Sequence, residues 1–417
     1  MKTLTDTKMP GLDWHPYSWK NERSTHLPKY KNASHVNEVC EYLQGMADLV
    51  TVDSVRHLLD CLNSCAQGKS FILHSGECAE LFSDSQEEIV SAKLSLSTSL
   101  RRTLEQELQK EVISIDRMAG QYAKPRSNRL EIKNGNCLLS YFGDIFNAIG
   151  FTSGDRDLLP DRMISAYRAS EETIRCCKQF ASTQTLDHHF VSHEALNLYY
   201  EAGLTRKANG HYFNLSTHLP WLGIRTAHTS PAHLNYLSGI ANPIGIKIGP
   251  NTHPDKLIEI MRTLNPGNIE NKLLLITRMG ANHVNNHLPA LIETVLKENL
   301  SALWICDPMH GNTETLNTKY KVRRLENILK ELEDTFTIHE QCGTNLAGIH
   351  LEICWDHVTE CIDDEVTEDS IPINYKAIVD PRLNPSQAHF VVRFVSELIR
   401  AREVIPLRVL RSVNVTQ

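Results

Sequence analysis

The sequence predicts an α/β fold, an eight-stranded (β/α)8 barrel preceded by a short N-terminal extension. Eight short apolar runs rich in β-branched residues recur from Ser70 onward, and segments of helical periodicity separate most of them. Strands that alternate with helices form a parallel sheet, and eight such strands close into a barrel. An open doubly wound sheet is the alternative. It is disfavoured because no G-x-G-x-x-G motif follows the first strand.

Each strand-forming run ends in a polar loop rich in chemically active side chains. The runs are SFILHSGECAE (70–80), EVISIDRMAGQ (111–121), HHFVSHEA (188–195), PWLGIRT (220–226), IGIKIGP (244–250), KLLLITRMG (272–280), ALWICDPMHGN (302–312) and AGIHLEIC (347–354). Helical periodicity predicts helices at Glu87–Lys110, Pro254–Leu264, Leu288–Asn299 and Arg323–Phe336. The residues Asn384-Pro385-Ser386 are a start signal for a last helix through Arg400.

The chain is expected to form one large domain. At roughly 150 residues per domain, 417 residues suggest two or three domains, but an α/β barrel uses about 250 or more as one. Residues 1–66 are predicted to be a partly helical N-terminal extension, with helices near Val36–Met46 and Val52–Ala66. Residues 67–403 are predicted to form the barrel, and residues 404–417 a C-terminal tail.

Composition argues against several classes of partner. The net charge is −7 and the isoelectric point is near 6.3, whereas a dedicated nucleic-acid binder carries a basic excess. No window approaches the roughly 18 consecutive apolar residues of a membrane helix, and the N-terminus lacks the apolar core of a signal peptide. The eleven cysteines include no C-x-x-C pair, which indicates free thiols in a reducing compartment. We therefore expect a cytoplasmic protein without nucleic-acid or membrane partners.

A candidate set of metal ligands lies at the strand ends. It contains a thiol, an imidazole and two carboxylates: Cys78, His310, Glu352 and Asp380. Such a mixed set suits a borderline divalent ion such as Mn²⁺, Co²⁺, Fe²⁺ or Zn²⁺, with one position left open. Each residue alone has an ordinary structural alternative, as a small buried thiol, a capped loop histidine, a salt-bridge partner or a helix cap. Spacing along the chain does not choose between these interpretations, because only the barrel would bring the four residues together.

A second candidate set is cationic and lies at or just beyond strands that are otherwise apolar. It consists of Arg117, Lys124, Arg126, Arg225, Lys247 and Arg278. A lysine inside IGIKIGP is costly to bury unless it meets an anion, and arginine matches phosphate and carboxylate through its planar fork. Salt bridges to Glu77, Glu194 and Glu352 are the alternative. As a set, the cations favour a phosphorylated, carboxylated ligand, and the K-P-R-S loop could grip a second phosphate through Arg126 and Ser127.

Together the motifs carry a family resemblance. The chain contains GECAE (76–80), RMAGQYAKPRS (117–127), SHEAL (192–196), ANPIGIKIGP (241–250), TRMGA (277–281), DPMHGNT (307–313), GIHLE (348–352), VTEC (358–361) and DPRLN (380–384). In this order they resemble the class II, plant-like 3-deoxy-D-arabino-heptulosonate 7-phosphate (DAHP) synthases, from about Trp14 to Arg400. The resemblance implies a metal-dependent TIM barrel that condenses phosphoenolpyruvate with erythrose 4-phosphate, the first step of the shikimate pathway.

The resemblance also implies roles for single residues. The metal ligands of the family match Cys78, His310, Glu352 and Asp380. Its phosphoenolpyruvate-binding cations match Arg117, Lys124, Arg225, Lys247 and Arg278. The aldose phosphate-binding residues match Arg126 and Ser127, and Lys124 and His310 are the expected catalytic residues. One divalent ion is expected, Mn²⁺ or Co²⁺ ahead of Fe²⁺ or Zn²⁺, in a homo-oligomer that is a dimer or a tetramer.

The chain departs from the family pattern near the expected pocket. The family usually has an acidic residue before the first arginine of its G-[DE]-R-T-R motif, but this chain has Ile224, and Ala227 replaces the second arginine. Cys354 and Trp355 replace the usual Thr-Gly after GIHLE. These changes leave two alternatives. One is the same phosphoenolpyruvate chemistry on a different or amino-substituted aldehyde in a secondary-metabolite pathway, and the other is a non-catalytic paralogue.

Overall fold

The eight predicted strands form a closed barrel in the computed structural model, which describes residues 14–27, 29–126, 128–133, 135–184 and 189–403. The barrel strands are β1 (Ser70–Gly76), β2 (Glu111–Arg117), β3 (Phe190–Glu194), β4 (Leu219–Leu222), β5 (Ile244–Ile248), β6 (Leu273–Thr277), β7 (Leu303–Cys306) and β8 (Leu346–Glu352). Neighbours follow chain order around the barrel, β8 pairs with β1, and every pair is parallel. Each predicted run overlaps one strand, so the predicted fold class is confirmed.

Helices precede the barrel, connect its strands and follow the last strand. They are α1 (Ala33–Gln44), α2 (Val52–Ala66), α3 (Glu87–Leu108), α4 (Ser153–Arg156), α5 (Arg162–Gln184), α6 (Leu198–Gly203), α7 (Ile224–Thr229), α8 (Pro231–Ser238), α9 (Pro254–Leu264), α10 (Val284–Lys297), α11 (Leu325–Gln341) and α12 (Pro385–Glu403). Short 3-10 helices occur at Ser18–Asn21, Phe82–Ser85, His310–Asn312 and Glu368–Ile373. The predicted bounds of α2 and α9 match the structure, and those of the other predicted helices differ by a few residues.

The prediction that a helix begins at Arg323 is wrong. Arg323 lies in the short strand Lys321–Arg324, which pairs with Thr313–Thr315 on one side and Cys361–Ile362 on the other. Helix α11 starts only at Leu325, because the backbone of Lys321–Arg324 pairs with both of these strands.

Two further hairpins, Leu130–Lys133 with Asn136–Leu139 and Thr205–Ala208 with His211–Asn214, lie outside the barrel sheet.

Helix α2 closes the amino-terminal end of the barrel. Its buried side chains Leu58, Cys61, Leu62 and Cys65 form one apolar cluster with side chains from β1 to β4 and from β6 to β8. Thr51 caps the helix, because its side chain accepts a hydrogen bond from the backbone N–H of Ser54. The cluster packs against the end of the barrel opposite the polar loops.

The proposed domain boundaries at residues 66 and 403 stay predictions, and residues 404–417 lie outside the described part of the chain.

Replacement of Leu62 by alanine is expected to lower the free energy of unfolding by about 2–5 kcal/mol, because a fully buried leucine leaves a cavity. The arrangement of the polar loops should not change, since Leu62 lies at the opposite end of the barrel. Urea unfolding measures the first effect. Leu296→Ala on α10 is the control: this leucine is 52% exposed, so we expect a change within about 0.5 kcal/mol. Equal effects of both substitutions would contradict the assigned packing.

Two expectations about the chain as a whole can be compared with the structure. All eleven cysteines are free thiols, as the absence of C-x-x-C pairs indicates. Across the described ranges, no helix combines the length and the apolar character needed to cross a bilayer.

Candidate active site

The four predicted metal ligands meet at the carboxyl ends of the barrel strands. Cys78 follows β1, His310 follows β7, Glu352 ends β8, and Asp380 lies in the loop before α12. Their ligand atoms all lie within 4.8 Å of one another. Donor atoms bound to one ion at 2.0–2.3 Å are at most about 4.6 Å apart, so the observed spacing is close to that of a bound set. The spacing and the mixed chemistry of this ligand cluster therefore fit a single divalent ion.

Two arginines and a histidine surround the buried carboxylate of Glu352. Arg117 Nη1 lies 2.7 Å from Oε1, and Arg323 Nη2 lies 2.7 Å from Oε2. His310 Nε2 is 3.0 Å from Oε1. Burial opposes ionisation, but these three neighbours hold the pKa of Glu352 well below its ordinary value. Glu352 is therefore the anionic member of the ligand cluster that these cations stabilise.

Lys124 bridges the other two members of the ligand cluster. Its Nζ lies 3.0 Å from Asp380 Oδ2 and donates to the sulfur of Cys78. The Cys78 thiol donates to the same Asp380 oxygen at 3.3 Å. Burial, with the nearby Glu352 carboxylate, raises the pKa of Cys78 to about 12. The thiol therefore stays protonated at neutral pH unless a bound cation displaces its proton.

Asp307 fixes the orientation of His310. Its Oδ2 lies 2.7 Å from His310 Nδ1, which leaves Nε2 directed at Glu352. A carboxylate behind a histidine in this way sets the tautomer of many metal-binding imidazoles. Asp307, His310 and His350 also lie close enough to hold an ion. However, Lys247 Nζ is already 3.0 Å from Asp307 and 3.2 Å from His350 Nε2, so an ammonium group occupies that position.

All five cations predicted to bind phosphoenolpyruvate line one pocket beside the ligand cluster. Its described lining residues are Arg117, Gln121, Lys124, Pro125, Glu194, Trp221, Gly223, Ile224, Arg225, Lys247, Arg278 and His310. The Trp221 ring forms a wall, with the Arg117 guanidinium 5.3 Å and the Lys247 ammonium 5.6 Å from its centre. Arg278 donates to the His310 carbonyl at 3.2 Å, which connects the pocket to the ligand cluster. Three of these cations also form internal ion pairs, Arg117 with Glu352, Lys124 with Asp380 and Lys247 with Asp307, so part of the salt-bridge alternative holds. Arg225 and Arg278 add further positive charge to the same cavity, which favours an anionic ligand.

The two residues predicted to hold the aldose phosphate have different outcomes. Arg126 is half-buried and lines a second cavity at the barrel mouth, together with Lys124, Lys321 and Asp380. This cavity adjoins the ligand cluster through Asp380 and Lys124. Ser127 lies outside the described residues.

Sequence reasoning missed three contributors to the site. Asp307 orients His310, and Arg323 is a fully buried partner of Glu352. Glu194, expected only as a salt-bridge partner, is the one carboxylate among the described residues that line the cationic pocket. It forms no ion pair within the described ranges, and its buried Oε1 accepts no hydrogen bond there. The spacing of Asp307 three residues before His310 in DPMHGN is a signal that could have identified the first of them.

Comparison with known proteins decides the family. The sequence matches the model of the class-II DAHP synthetase family over residues 14–189 and 184–395. The chain belongs to this family. The phospho-2-dehydro-3-deoxyheptonate aldolase of Neurospora crassa is 35% identical over 93% of this chain and 94% of that protein. The Streptomyces coelicolor protein of the same name is 31% identical, over 92% of this chain and 97% of its own length. The aldolase AroG of Mycolicibacterium smegmatis is 32% identical, over 86% and 89%.

The departures of this class-II DAHP synthetase from its family pattern lie in different environments. Ile224 lines the cationic pocket, so the missing acid affects the site directly. Ala227 is buried in the main apolar core, and Cys354 is buried behind the end of β8. Trp355 is 40% exposed and covers a small cavity beside Glu77 and Asp116. Of the four changes, only Ile224 contributes to the wall of the cationic pocket.

Proposed function

We propose that this chain condenses phosphoenolpyruvate with erythrose 4-phosphate and releases DAHP and inorganic phosphate. The proposal rests on the contact between the cationic pocket and the ligand cluster. His310 belongs to both, and Lys124, which lines the pocket, forms an ion pair with the ligand Asp380. The family assignment supports the same reaction. A pocket for a phosphorylated carboxylate beside a site for one cation is what this condensation requires.

The four residues Cys78, His310, Glu352 and Asp380 would hold one divalent ion. Their mixture of sulfur, nitrogen and oxygen donors suits a borderline divalent ion, and the family resemblance favours Mn²⁺ or Co²⁺ over Fe²⁺ or Zn²⁺. When bound, the ion would supply Lewis-acid polarisation of the carbonyl oxygen of the aldose. Lys321 Nζ, 3.0 Å from Asp380 Oδ1, and Arg323 help to balance the negative charge of these ligands.

The cations of the pocket would bind and orient phosphoenolpyruvate. Arg117, Arg225, Lys247 and Arg278 would offset its phosphate and carboxylate charges, and Arg126 would take the phosphate of the aldose. Holding two anions at bonding distance requires this excess of positive charge. Carbon 3 of phosphoenolpyruvate then bonds to the carbonyl carbon of the aldose, water adds to carbon 2, and phosphate leaves.

Two residues are placed to hold or move protons in this sequence. Lys124 is protonated at neutral pH. Burial opposes its charge, but Cys78 and Asp380 raise the pKa of the ammonium group. It is placed to protonate the former carbonyl oxygen of the aldose, as a general acid. Glu194 is the proposed acceptor, because it is the one carboxylate among the described residues that line this pocket. Burial raises the pKa of its carboxyl above the ordinary value, although Lys124 and Lys247 oppose the shift. We assign it to take a proton from the water that adds to carbon 2.

Replacement of Glu194 by glutamine is expected to lower kcat by about 100-fold, the low end of what a general base contributes. The KM for phosphoenolpyruvate should not rise, because the change removes a negative charge from a pocket that binds an anion. Steady-state kinetics in both substrates separate the two constants. Glu201→Gln is the matched control, a buried glutamate that bonds to Asn214 and Ser216 away from the pocket. A rise in KM with unchanged kcat would contradict the assignment.

The proposed function is tested by coupled measurements of phosphoenolpyruvate loss and phosphate release. Both should require erythrose 4-phosphate and added Mn²⁺ or Co²⁺, and chelation should stop both. A panel of other phosphorylated and amino-substituted aldehydes tests the alternative that Ile224 suggests. Full turnover with erythrose 4-phosphate would exclude an altered acceptor. No turnover with any aldehyde, together with no bound metal, would indicate a non-catalytic paralogue.

We also propose a cytoplasmic homo-oligomer, a dimer or a tetramer. Eleven unpaired thiols support the reducing compartment. Exposed apolar side chains, among them Leu130 and Ile132 on a hairpin at the barrel mouth, support contact with a further copy. Light scattering on the purified protein measures the mass, and a monomer would contradict this part of the proposal.

A further inference from the structure

A fully buried glutamate on helix α11 lies beneath two loops of the site without contacting the proposed ligands. Both oxygens of Glu331 accept hydrogen bonds. Oε1 accepts the backbone N–H groups of Met279 and Gly280, each at 2.8 Å, and Oε2 accepts the side-chain amide of Asn312 at 2.7 Å. The side chain is 0% exposed, and no cation pairs with it in the described part of the chain. Burial raises the pKa of this carboxyl to about 8, and the three donors oppose that shift because they favour the ionised form, which accepts at both oxygens.

Asn312 extends this contact into a bridge between the loops. Its Oδ1 accepts the N–H of Ala281 at 2.9 Å, and its Nδ2 also donates to the carbonyl of Pro308 at 2.8 Å. One side chain therefore holds the loop after β6, and at the same time closes the loop after β7 upon itself. The first loop carries Arg278 and the second carries His310. Glu331 and Asn312 thus connect the cationic pocket to the ligand cluster.

The loops are packed so closely that small displacements would be felt at both sites. A Cβ added at Gly311 would lie 2.3 Å from the nitrogen of Gly280, and a Cβ at Gly280 would lie 2.8 Å from the oxygen of Gly311. Gly280 also has a φ of +89°, a backbone conformation that favours glycine. Arg278 itself donates to the carbonyl of His310. The relative position of the two loops is therefore set by the backbone contact between Gly280 and Gly311 and by the hydrogen bonds to Glu331.

We propose that Glu331 is a positioning residue that sets Arg278 against His310 through Met279, Gly280 and Asn312. This inference rests on the proposed function, since that function gives Arg278 and His310 their roles. Three N–H groups donate to the carboxylate of Glu331, so the contacts require acceptor oxygens and no donor group at this position. An amide at this position would offer one acceptor oxygen and would direct an N–H group at the N–H group of Asn312.

Exchange of the two side chains tests the bridge. Glu331→Gln places an N–H group opposite the N–H group of Asn312, and Asn312→Asp places a second carboxylate opposite that of Glu331. Each variant should lower kcat/KM for phosphoenolpyruvate by about 100-fold, the effect of displacing a binding group by about 1 Å. In the double variant Glu331→Gln/Asn312→Asp, the new amide donates to the new carboxylate, which still accepts from Ala281, whereas the carbonyl of Pro308 loses its donor, so recovery is expected to be partial. The double variant should recover to within about tenfold of the original protein. Thr335→Val, which removes a buried hydrogen bond to the carbonyl of Glu331 on the same helix, is the stability control.

Hydrogen exchange of peptides covering 277–284 and 307–314 gives a readout that does not depend on turnover. Each single variant should exchange faster there, the double variant should regain protection, and isothermal titration with Mn²⁺ should show weakened binding only in the single variants. The proposal is overturned if Glu331→Gln lowers the melting temperature as Thr335→Val does but leaves kinetics and loop protection unchanged. Failure of the double variant to recover would overturn it as well. If the unmodified protein forms no DAHP, the proposed function fails, whereas loop protection still decides the bridge.

Discussion

Replacement of Cys78 by serine is expected to abolish tight binding of Mn²⁺ or Co²⁺ and to lower kcat/KM by about 1,000-fold. Loss of a residue behind a metal ligand typically costs 10–100-fold, so loss of a ligand itself should exceed that range. Serine keeps the size of the side chain and can still accept from Lys124 and donate to Asp380, the two contacts of the thiol. The fold should therefore survive. Isothermal titration with each ion measures the binding, and phosphate release measures the activity.

A second buried cysteine provides the control for this experiment. Cys65 is 1% exposed, and its sulfur lies 3.2 Å from the hydroxyl of Ser70, at the opposite end of β1 from Cys78. Cys65→Ser should leave metal affinity and kinetics unchanged, whatever it does to stability. Co²⁺ offers a further test, because thiolate coordination produces a charge-transfer absorption that Cys78→Ser should lose. Unchanged metal affinity in Cys78→Ser would remove this residue from the proposed ligands.

The sequence predicts the barrel well because each strand is a short, continuous apolar run between polar loops. Strands buried on both faces need this pattern, and β5 and β6 are apolar at almost every position. The rule that barrel strands end at the active site then places Cys78, His310 and Glu352 together without any coordinates. Asp380 is a candidate only as a carboxylate in the loop beyond the last strand, and the family resemblance implies the same role for it.

The missed elements are those whose local pattern is weak. Helix α5 buries mainly small residues such as Ala166, Ala169, Ser170 and Thr173, so its apolar face does not stand out in the sequence. The hairpins at Leu130–Leu139 and Thr205–Asn214 have strands of four residues, too short to show an alternating pattern. Tertiary contacts decide such segments.

The same limit applies to individual residues of the site. Arg323 has the sequence context of a helix start, and only the fold places its guanidinium 2.7 Å from Glu352. Glu194 occurs in a motif that the resemblance includes, but its isolation among five cations is a property of the closed barrel. Sequence shows which groups are available at the strand ends. It does not show which charges meet.

Replacement of Lys247 by methionine is expected to lower kcat/KM for phosphoenolpyruvate by roughly 1,000-fold, which corresponds to about 4 kcal/mol. Lys247 is 6% exposed and reaches the cationic pocket from next to the carboxyl end of β5. Methionine keeps the apolar stem and removes the charge. Asp307 would keep His310 Nδ1 at 2.7 Å and two backbone N–H groups as partners, so the fold should tolerate the change. Saturation kinetics in phosphoenolpyruvate, with erythrose 4-phosphate in excess, measure the effect.

The protonation of Lys247 also predicts a pH dependence. Burial, together with the positive charge of Arg117, lowers the pKa of the ammonium to about 8, although Asp307 opposes the shift. The group is charged below this pH and neutral above it, and only the charged form attracts phosphoenolpyruvate. The kcat/KM for phosphoenolpyruvate, which reports the free enzyme, should therefore fall as pH rises through about 8. The bound anion raises the pKa of Lys247, so kcat should stay level to higher pH.

Two variants isolate Lys247 as the source of this decline. Lys247→Arg replaces the ammonium with a guanidinium that stays charged to above pH 12, so the fall near pH 8 should disappear even if overall efficiency is lower. Lys272 is a second buried lysine, and burial lowers its pKa to about 8 as well. It donates to the carbonyl of Ile240 and is not among the residues that line the cationic pocket. Lys272→Met should leave the pH profile unchanged. A decline near pH 8 that persists in Lys247→Arg would assign the titration to another group, because the guanidinium keeps its charge throughout that range.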